Sequence, residues 1–273
     1  MDARMAGRLS TLPAVLTIAG SDPSGGAGLQ ADLLTFGSLG THGCSAVTAV
    51  TIQDSVNVRG FTMMDPLDTM AQARVVLEDI SVQAIKIGML GSAQMVEAVV
   101  GVLLDYPEIP VVLDPVLAAG GGGALAVAGL REAMLDLLLP RVTVLTPNGP
   151  EALALAPGAD NLPAAGHALT EAGAEYVLIT GGHGQGAQVE NLLFHDRQWV
   201  ETYLQERLPH RYHGSGCTLA AAIAAGLAHG LPVLPAVAQA LDYTHRSLVH
   251  AYALGRGQWF PDRFFWARSG EEG

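Results

Sequence analysis

The sequence predicts an α/β fold in which helices cover both faces of a mostly parallel central sheet. Five short runs of the chain are apolar on both faces, which is typical of strands buried in a parallel sheet. These runs are residues 14–19, 84–87, 110–113, 142–145 and 176–179. Segments with helical patterning separate them, and Gly, Pro, Asn and Asp mark the boundaries. Such alternation predicts βα units wound into one sheet.

The remaining elements follow from the same patterns. Helices are predicted over residues 27–39, 66–79, 92–104, 127–139 and 162–172 and, towards the C-terminus, over 216–229 and 233–254. Residues 187–203 break the alternation and predict two short strands around His195, an antiparallel hairpin at the sheet edge. Because no linker, repeat or low-complexity stretch interrupts the chain, we expect a single domain over residues 13–273, preceded by a disordered tail over residues 1–12.

The composition of the 273-residue chain limits its function classes. Hydrophobic residues make up 49% of it, enough for a sizeable core, and the formal net charge of −12 argues against nucleic acid and anionic membranes as partners. No apolar stretch reaches membrane-spanning length, and residues 1–12 lack the apolar block of a secretory signal, so we expect a cytoplasmic protein. The two cysteines, Cys44 and Cys217, lie outside any metal-ligand spacing, which argues against a disulfide framework and a zinc site.

Two common nucleotide-binding motifs are missing from the sequence. No segment matches the G-x-x-x-x-G-K-[ST] pattern of P-loop NTPases, and Lys86 is the only lysine among 14 basic residues. The glycines after the first predicted strand do not have the G-x-G-x-x-G spacing of dinucleotide-binding folds. The sequence therefore indicates a fold other than these two.

Polar residues and glycines follow the predicted strands at their carboxyl ends, where open α/β sheets bind ligands. In strand order, the candidate site residues in these segments are Gly20, Ala27 and Asp32, then Met89, then Asp114, then Asn148 and Glu151, then Thr180 and Gly182. Any one of them could be an ordinary cap or turn. Their presence at five strand ends indicates a functional site at this edge of the sheet.

The segment from His213 to Cys217, H-G-S-G-C, precedes a run of small apolar residues that predicts a tightly packed helix. Gly214 and Gly216 let the backbone approach a ligand closely, and the helix N-terminus presents unpaired N–H groups and a positive dipole end. The pattern predicts an anion site, most simply for a phosphate. Cys217 lies in the same field, so we expect a lowered thiol pKa and a thiolate able to take a proton from a substrate hydroxyl. The alternative is a tight turn beside a small buried cysteine.

Several segments, in order along residues 14–254, together resemble one enzyme family. They are L-T-I-A-G-S-D-P-S-G-G-A-G-L-Q-A-D from Leu16, T-A-V-T-I-Q-D from Thr48, K-I-G-M-L from Lys86, D-P-V from Asp114, T-P-N from Thr146, G-G-H from Gly181 and H-G-S-G-C-T-L from His213. The family is that of the hydroxymethylpyrimidine/phosphomethylpyrimidine kinases of thiamine biosynthesis, in the ribokinase-like superfamily. The resemblance implies a three-layer α/β/α fold and a homodimer. It also implies ATP-dependent phosphorylation of 4-amino-5-hydroxymethyl-2-methylpyrimidine and then of its monophosphate, with Mg²⁺.

The resemblance further implies a role for each matching residue. An anion hole for the transferred phosphoryl group would be formed by Gly214, Ser215 and Gly216, with Cys217 as the base. Gln53 would bind the aminopyrimidine edge through its amide. The rest of the substrate pocket would be Gly20, Ala27, Asp32, Met89 and Val116. ATP and its phosphates would contact Asn148, Thr180, Gly182 and His213. Mg²⁺ would be held, directly or through water, by Asp114 and Glu151.

Other interpretations stay open at this point. Gln53 could be a surface residue at a strand end, Met89 a core residue, and Asn148 a helix cap paired with Glu151. The alternative enzyme is a pyridoxal kinase, which differs in the hydroxymethyl heteroaromatic that enters the pocket; Gln53 and Cys217 favour the pyrimidine. The alternative of another class is a pyrimidine-binding protein with weakened catalysis.

The sequence departs from the family pattern at two places. Thr180 stands where relatives commonly have a lysine before G-G-H, so a cation expected to face the nucleotide phosphates is absent and we expect weaker affinity for ATP. The replacement charge would come from Mg²⁺, the helix end, Arg207 or Arg211. A glycine run at residues 120–123 predicts a mobile flap that orders when the nucleotide binds.

Overall fold

The computed structural model describes residues 12–117, 129–182 and 186–268. Within these ranges nine strands form one sheet in the order β3-β2-β1-β4-β5-β6-β7-β8-β9. The strands are β1 (Ala14–Ser21), β2 (His42–Gln53), β3 (Val58–Met63), β4 (Val82–Ile87), β5 (Val111–Leu113), β6 (Val144–Leu145), β7 (Tyr176–Ile179), β8 (Gln188–His195) and β9 (Gln198–Glu206). Six neighbouring strands of the sheet run parallel: β2, β1, β4, β5, β6 and β7. Strand β3 is antiparallel to β2, and β8 is antiparallel to β7. The predicted mostly parallel sheet is confirmed.

The predicted edge hairpin is also confirmed. β8 and β9 pair in antiparallel fashion and are joined by Asp196 and Arg197, both with positive φ (47° and 57°). Two successive left-handed residues are typical of the tight turns whose twist matches that of a hairpin.

Two strands, β2 and β3, were not predicted. In β2 the buried residues mostly alternate with exposed or half-buried ones, and every residue of the edge strand β3 is at least partly exposed. Neither strand is a continuous apolar run, so a search for strands buried on both faces misses them.

Helices cover both faces of the sheet, as predicted. They are α1 (Gly28–Ser38), α2 (Pro66–Asp79), α3 (Ala93–Leu103), α4 (Leu130–Ala133), α5 (Gly149–Leu155), α6 (Leu162–Glu171), α7 (Ser215–Ala228), α8 (Val233–Val249) and α9 (Phe265–Arg268). Alternating strand residues divide the core in two. Leu16 and Ile18 of β1 pack with α2 to α6 on one face, whereas Val15 packs with α1, α7 and α8 on the other.

Two predicted helix limits are wrong. The helix predicted over residues 127–139 is α-helical only to Ala133 and then becomes a π-helical and a 3₁₀ turn that contains Pro140, which cannot extend an α-helical ladder. The helix predicted to residue 254 ends at Val249, because Tyr252 pairs its backbone with Phe260 at 2.9 and 3.0 Å instead. The tail over residues 1–11 and the glycine run at 120–123 lie outside the described residues.

The topology fixes one edge of the sheet as the place for a site. From β1 the chain passes to β2 on one side, and β4 pairs with β1 on the other, so the strand order reverses at β1. Ligands bind at the carboxyl ends of strands beside such a reversal. In the described ranges, no helix combines the length and the apolar character that crossing a bilayer requires.

Candidate active site

Helix α7 begins at this edge with an exposed turn of backbone. Its N-cap, Gly214, has a φ of +76°, a left-handed conformation that residues with side chains rarely adopt. The first intrahelical hydrogen bond runs from Thr218 N–H to Gly214 C=O at 2.9 Å. The preceding N–H groups, those of Ser215, Gly216 and Cys217, therefore have no partner within the helix. Together with the positive end of the helix dipole, they form a turn that can bind an anion.

A glycine-rich loop, residues 22–28, packs directly over this anion turn. The Gly26 carbonyl and the Ala27 backbone fill the space where a Cβ on Gly214 would stand. Asp22 organises the loop, because its buried carboxylate accepts hydrogen bonds from Ser24 N–H and Ala27 N–H, both at 2.8 Å. Asp22 was not among the predicted site residues, although its D-x-S sequence is typical of such a side-chain turn.

His213 links this loop to the anion turn. Its Nε2 lies 2.8 Å from Asp22 Oδ2, and its ring packs edge-on against Phe260 with centroids 5.8 Å apart. Burial alone would raise the pKa of Asp22, but hydrogen bonds from His213 and the loop hold that pKa below its usual value. His213 thus holds the loop through Nε2, and its predicted contact with phosphate stays a prediction.

Cys217 lies in the first turn of α7, with a half-buried side chain among charged groups. The Asp114 carboxylate and the Gly28 N–H lie beside its thiol. Burial raises the pKa of the thiol to about 12; Lys86 opposes the rise, and the carboxylates of Asp114 and Asp32 add to it. The expected lowering of this pKa is therefore wrong, because desolvation and two acidic neighbours outweigh the helix end and the nearby cation.

A wholly buried ion pair supplies the cation near Cys217. Lys86 Nζ, from β4, lies 2.9 Å from Asp32 Oδ2 of α1, and neither side chain has any exposed surface. Thr17 donates to the same carboxylate oxygen at 2.6 Å. Gly88 leaves room for the ammonium group, since a Cβ there would stand 2.8 Å from Nζ. Burial opposes the charge of Lys86, but its anionic neighbours, Asp32 first, raise its pKa above that of a free lysine.

The position of Asp32 differs from its predicted one. The sequence reading made Asp32 a wall of the substrate pocket, but its carboxylate is buried and bonded to Lys86 and Thr17. We therefore correct its place to a support beneath the site.

Asp114 and Glu151 bring two carboxylates together after β5 and β6. Burial raises the pKa of Glu151 to about 8, and the charge of Asp114 adds to the rise. Burial also raises the pKa of Asp114, although Lys86 opposes this. Two enclosed carboxylates of this kind fit a hard divalent cation such as Mg²⁺. Among the described residues no three His, Cys, Asp or Glu side chains could hold a metal ion. Mg²⁺ needs fewer, because it keeps several waters and binds substrate phosphates.

Asn148 has the helix-cap geometry that the sequence left open. Its Oδ1 accepts from Glu151 N–H, and Glu151 Oε2 accepts from Asn148 N–H, each at 3.0 Å, which completes a capping box on α5. The Leu117 N–H lies near the Glu151 carboxylate and lowers its pKa. These bonds fix Glu151 in place and leave part of its carboxylate for water or a cation.

An apolar patch lies beside the glycine-rich loop. Met89 and Ala49 form its buried part, and the side chains packed against them are Val58, Phe61, Met63 and Val116. Gly20 borders the patch, since a Cβ there would stand 3.4 Å from Met89 Sδ. The structure thus brings the predicted residues Gly20, Met89 and Val116 together. Sequence reasoning missed Phe61 and Met63 because it missed β3.

Gln53 lies at the rim of this region, at the end of β2. Its Nε2 donates to Thr51 Oγ1 at 2.8 Å, and that hydroxyl in turn donates to Ser21 C=O at 2.8 Å. The half-buried amide of Gln53 is therefore oriented through Thr51 by Ser21, the residue that follows Gly20 in β1. The amide oxygen of Gln53 takes no part in this bond to Thr51.

The anion turn and the apolar patch form one continuous site. Gly28, whose N–H lies beside the Cys217 sulfur, packs against the carbonyl of Gly20, and Gly20 packs against Met89. Gly28 and Gly20 therefore connect the sulfur to the patch. A proton acceptor for a ligand bound on the patch must lie near it in this way.

Thr180 and Gly182 lie farther along the same edge. Thr180 bridges Asn148 beyond the ends of β6 and β7. Arg207 donates from Nη1 to Gly182 C=O at 2.9 Å and from Nε to Gly186 C=O at 2.7 Å, so it fastens this loop rather than facing a phosphate. Arg211 is exposed. His183 lies outside the described residues.

Sequence reasoning also missed Arg263. Its side chain is only 4% exposed and lies behind the anion turn. Nη2 donates to Gly26 C=O at 2.6 Å and Nε to Thr218 Oγ1 at 3.0 Å. No local pattern marks this residue, because its partners lie in segments far away in the sequence.

Replacing Asp32 tests the buried ion pair. Asp32→Asn leaves the Lys86 ammonium without its counter-ion, so we expect the free energy of unfolding to fall by about 3–5 kcal/mol. Urea unfolding of the purified variant measures this loss. The matched control is the double variant Asp32→Leu with Lys86→Met, which removes both charges and should lose clearly less. An Asp32→Asn variant as stable as the wild type would contradict the interpretation.

Comparisons with known proteins place this site in a family. A family model described as phosphomethylpyrimidine kinase matches residues 22–261. A hydroxymethylpyrimidine/phosphomethylpyrimidine kinase of Streptomyces coelicolor is 43% identical over 253 residues, which cover 90% of this chain and 93% of that protein. The pyridoxal kinase of Staphylococcus aureus in complex with AMP-PCP and pyridoxal has a TM-score of 0.86 at 32% identity, covering 95% of this chain and 96% of that one. A phosphomethylpyrimidine kinase of Clostridium difficile has a TM-score of 0.75 at 33% identity, covering 86% and 99%.

The comparisons and the geometry support the same assignment. The family match includes the glycine-rich loop, Asp114, Glu151 and the anion turn. The sheet with helices on both faces is the ribokinase-like architecture that the sequence predicted. This chain belongs to the phosphomethylpyrimidine kinase family.

Proposed function

We propose that this chain uses ATP to phosphorylate 4-amino-5-hydroxymethyl-2-methylpyrimidine and then its monophosphate, a step of thiamine biosynthesis in the cytoplasm. The observation that carries the proposal is the continuity of the anion turn, the Cys217 thiol and the apolar patch around Met89. A flat heteroaromatic ring suits the patch, and its hydroxymethyl group would then point towards the sulfur. The curated relative with 43% identity carries the same activity in its name.

The residues of the site suggest how the transfer proceeds. The hydroxyl oxygen attacks the γ-phosphorus of ATP, the bond from that phosphorus to the β–γ bridging oxygen breaks, and ADP leaves. The hydroxyl proton passes to the Cys217 sulfur while the thiol proton passes to the neighbouring Asp114 carboxylate. Such a relay avoids a free thiolate, which a pKa of about 12 makes scarce at neutral pH. The N–H groups of the anion turn stabilise charge on the migrating phosphoryl group.

Gln53 and the acidic pair complete the proposed site. The Gln53 amide offers a donor and an acceptor to the aminopyrimidine edge, with Gly20 and Ala27 lining the approach and Val116 closing the apolar side. Asp114 and Glu151 would hold Mg²⁺ through water, which leaves the Asp114 carboxylate free to accept the thiol proton, and the ion would offset charge on the phosphates. Asn148, Thr180 and Gly182 border the side on which the nucleotide would lie.

Pyridoxal kinase is the second candidate. The likeness to the Staphylococcus aureus enzyme favours it, because that structure contains pyridoxal and has a TM-score of 0.86. The substrate assay separates the two candidates: the protein is incubated with ATP, Mg²⁺ and either the pyrimidine or pyridoxal, and products are identified by mass spectrometry. Faster phosphorylation of pyridoxal would support the second candidate. Binding of the pyrimidine without transfer would support a binding protein with weakened catalysis.

Replacing Cys217 tests the proposed base. Cys217→Ala removes the proton acceptor but leaves the anion turn and the apolar patch, so kcat should fall by about 10²- to 10⁴-fold while pyrimidine affinity changes little. Cys44→Ala is the matched control, since Cys44 is buried in β2 as part of the core and should keep its turnover per folded molecule. Turnover within threefold of the wild type in Cys217→Ala would contradict the assignment.

A lysine at position 180 tests the effect of the missing cation. Thr180→Lys places a charge on the nucleotide side, and one charge-assisted hydrogen bond should lower the Kd for ATP by about tenfold. Calorimetry measures the affinity. Thr170→Lys, near the end of α6 and so at the opposite edge of the sheet, is the control and should leave the Kd unchanged. Equal affinity in the wild type and Thr180→Lys would contradict the expectation.

We also propose a homodimer that uses the exposed face of β2. Val50 and Ile52 lie two residues apart on this strand and are 49% and 62% exposed, an apolar surface that a second copy would cover. Light scattering should give twice the chain mass for the wild type, and Ile52→Glu should reduce the mass to that of one chain. Leu204→Glu changes an exposed residue of β9, the edge strand on the far side of the sheet from β2, and is the control that should remain a dimer. A wild-type mass of one chain would contradict the proposal.

A further inference from the structure

The C-terminal segment places a buried cation behind the anion turn. The Arg263 side chain is 4% exposed, and no carboxylate in the described ranges forms an ion pair with it. A buried charge without a counter-ion is strongly unfavourable, and an arginine keeps its charge at any ordinary pH. An anion bound at the turn would supply the missing counter-charge.

The guanidinium group is bonded to both sides of the contact between loop and turn. Nη2 donates to the Gly26 carbonyl at 2.6 Å, on the glycine-rich loop. Nε donates at 3.0 Å to Thr218 Oγ1, which in turn donates to the Gly214 carbonyl at 2.8 Å. Gly26 and Gly214 are the residues whose backbones pack against each other at the anion turn. One side chain therefore fixes the direction of both peptide groups.

The backbone that carries Arg263 is itself held in place. The Arg263 carbonyl accepts a hydrogen bond from Tyr243 OH at 2.8 Å. Earlier in the segment, Trp259 C=O accepts from His213 N–H at 2.8 Å, and Trp259 N–H donates to Arg211 C=O at 2.8 Å. These bonds join the segment to the residues immediately before the anion turn, so the guanidinium cannot move away without disturbing the turn.

We propose that Arg263 is a positioning residue for phosphoryl transfer. It holds the Gly26 carbonyl directly and the Gly214 carbonyl through Thr218, and so aims the N–H groups of the anion turn at the migrating phosphoryl group. Its fixed charge adds to the attraction that these dipoles exert on the developing negative charge. The substrate ring binds elsewhere, on the apolar patch, so its affinity does not depend on this arrangement.

Kinetics of Arg263 variants test this inference, which rests on the proposed kinase activity. Arg263→Met should lower kcat by about 10- to 100-fold, while the KM for the pyrimidine stays within about threefold. Arg263→Lys, which keeps a charge but not both hydrogen bonds, should lose less. Thr218→Val breaks the link to Gly214 and should also lower kcat. Because Arg263 reaches the Gly214 carbonyl only through Thr218, Arg263→Met combined with Thr218→Val should be little slower than Arg263→Met alone.

The controls separate positioning from loss of folding. Arg268→Met changes an exposed arginine of the same segment and should keep the wild-type kcat. All rates are divided by the folded fraction, counted by pyrimidine-binding stoichiometry; if Arg263→Met does not fold, Arg263→Lys and Thr218→Val, singly and combined, take its place. Unchanged kcat in the Arg263 variants, or losses that multiply in the double variant, would overturn the inference. A wild-type protein that forms no phosphorylated pyrimidine would instead contradict the proposed function.

Discussion

The buried ion pair of Lys86 and Asp32 is the constraint on which the rest of the site depends. Asp114 and Cys217 are enclosed close to this pair, where little water reaches them, and each raises the pKa of Lys86 in turn. Among the residues that the structure describes, no group donates a hydrogen bond to the second oxygen of Asp32, and an acceptor left unpaired in this way lowers the stability that the ion pair contributes. The pair does hold the positive charge of Lys86 near the Cys217 thiol. Without the ammonium group, three acidic groups would share one poorly hydrated space.

The same pair also joins the elements that define the site. Lys86 belongs to β4, Asp32 to α1 and Thr17, which bonds to Asp32, to β1. β4, which carries Lys86, leads directly to Gly88 and Met89, and β1, which carries Thr17, contains Gly20, so the two strands that hold the buried carboxylate also carry the edge of the apolar patch. A shift of one strand against the other would disturb both. The position of the proposed proton acceptor relative to the ring of the substrate is therefore set by the core of the sheet rather than by a loop.

The sequence predicted those parts that local patterns determine. Apolar runs gave five strands and their carboxyl ends gave the site, but β2 escaped because its residues alternate in exposure. The surroundings of a site residue, which set its pKa, were harder to predict than its position in the fold. Cys217 lies at the helix end as expected, yet its acidity depends on Asp114 and Asp32, which come from other elements. Arg263 could not be found from the sequence at all, because its proposed function depends on contacts that only the folded chain creates.

An acidic protein can bind phosphate here because its charges act over different distances. The net charge of −12 is spread mostly over exposed side chains, whose fields are screened by salt within about 8 Å. Lys86 and Arg263 are buried, at 0% and 4% exposure, and act in a medium that screens them far less. The N–H groups of the anion turn add a dipole that needs no counter-ion. These positive groups offset the buried carboxylates where a phosphate would bind, so the overall charge governs which macromolecules approach the protein, and the buried groups govern what binds in the site.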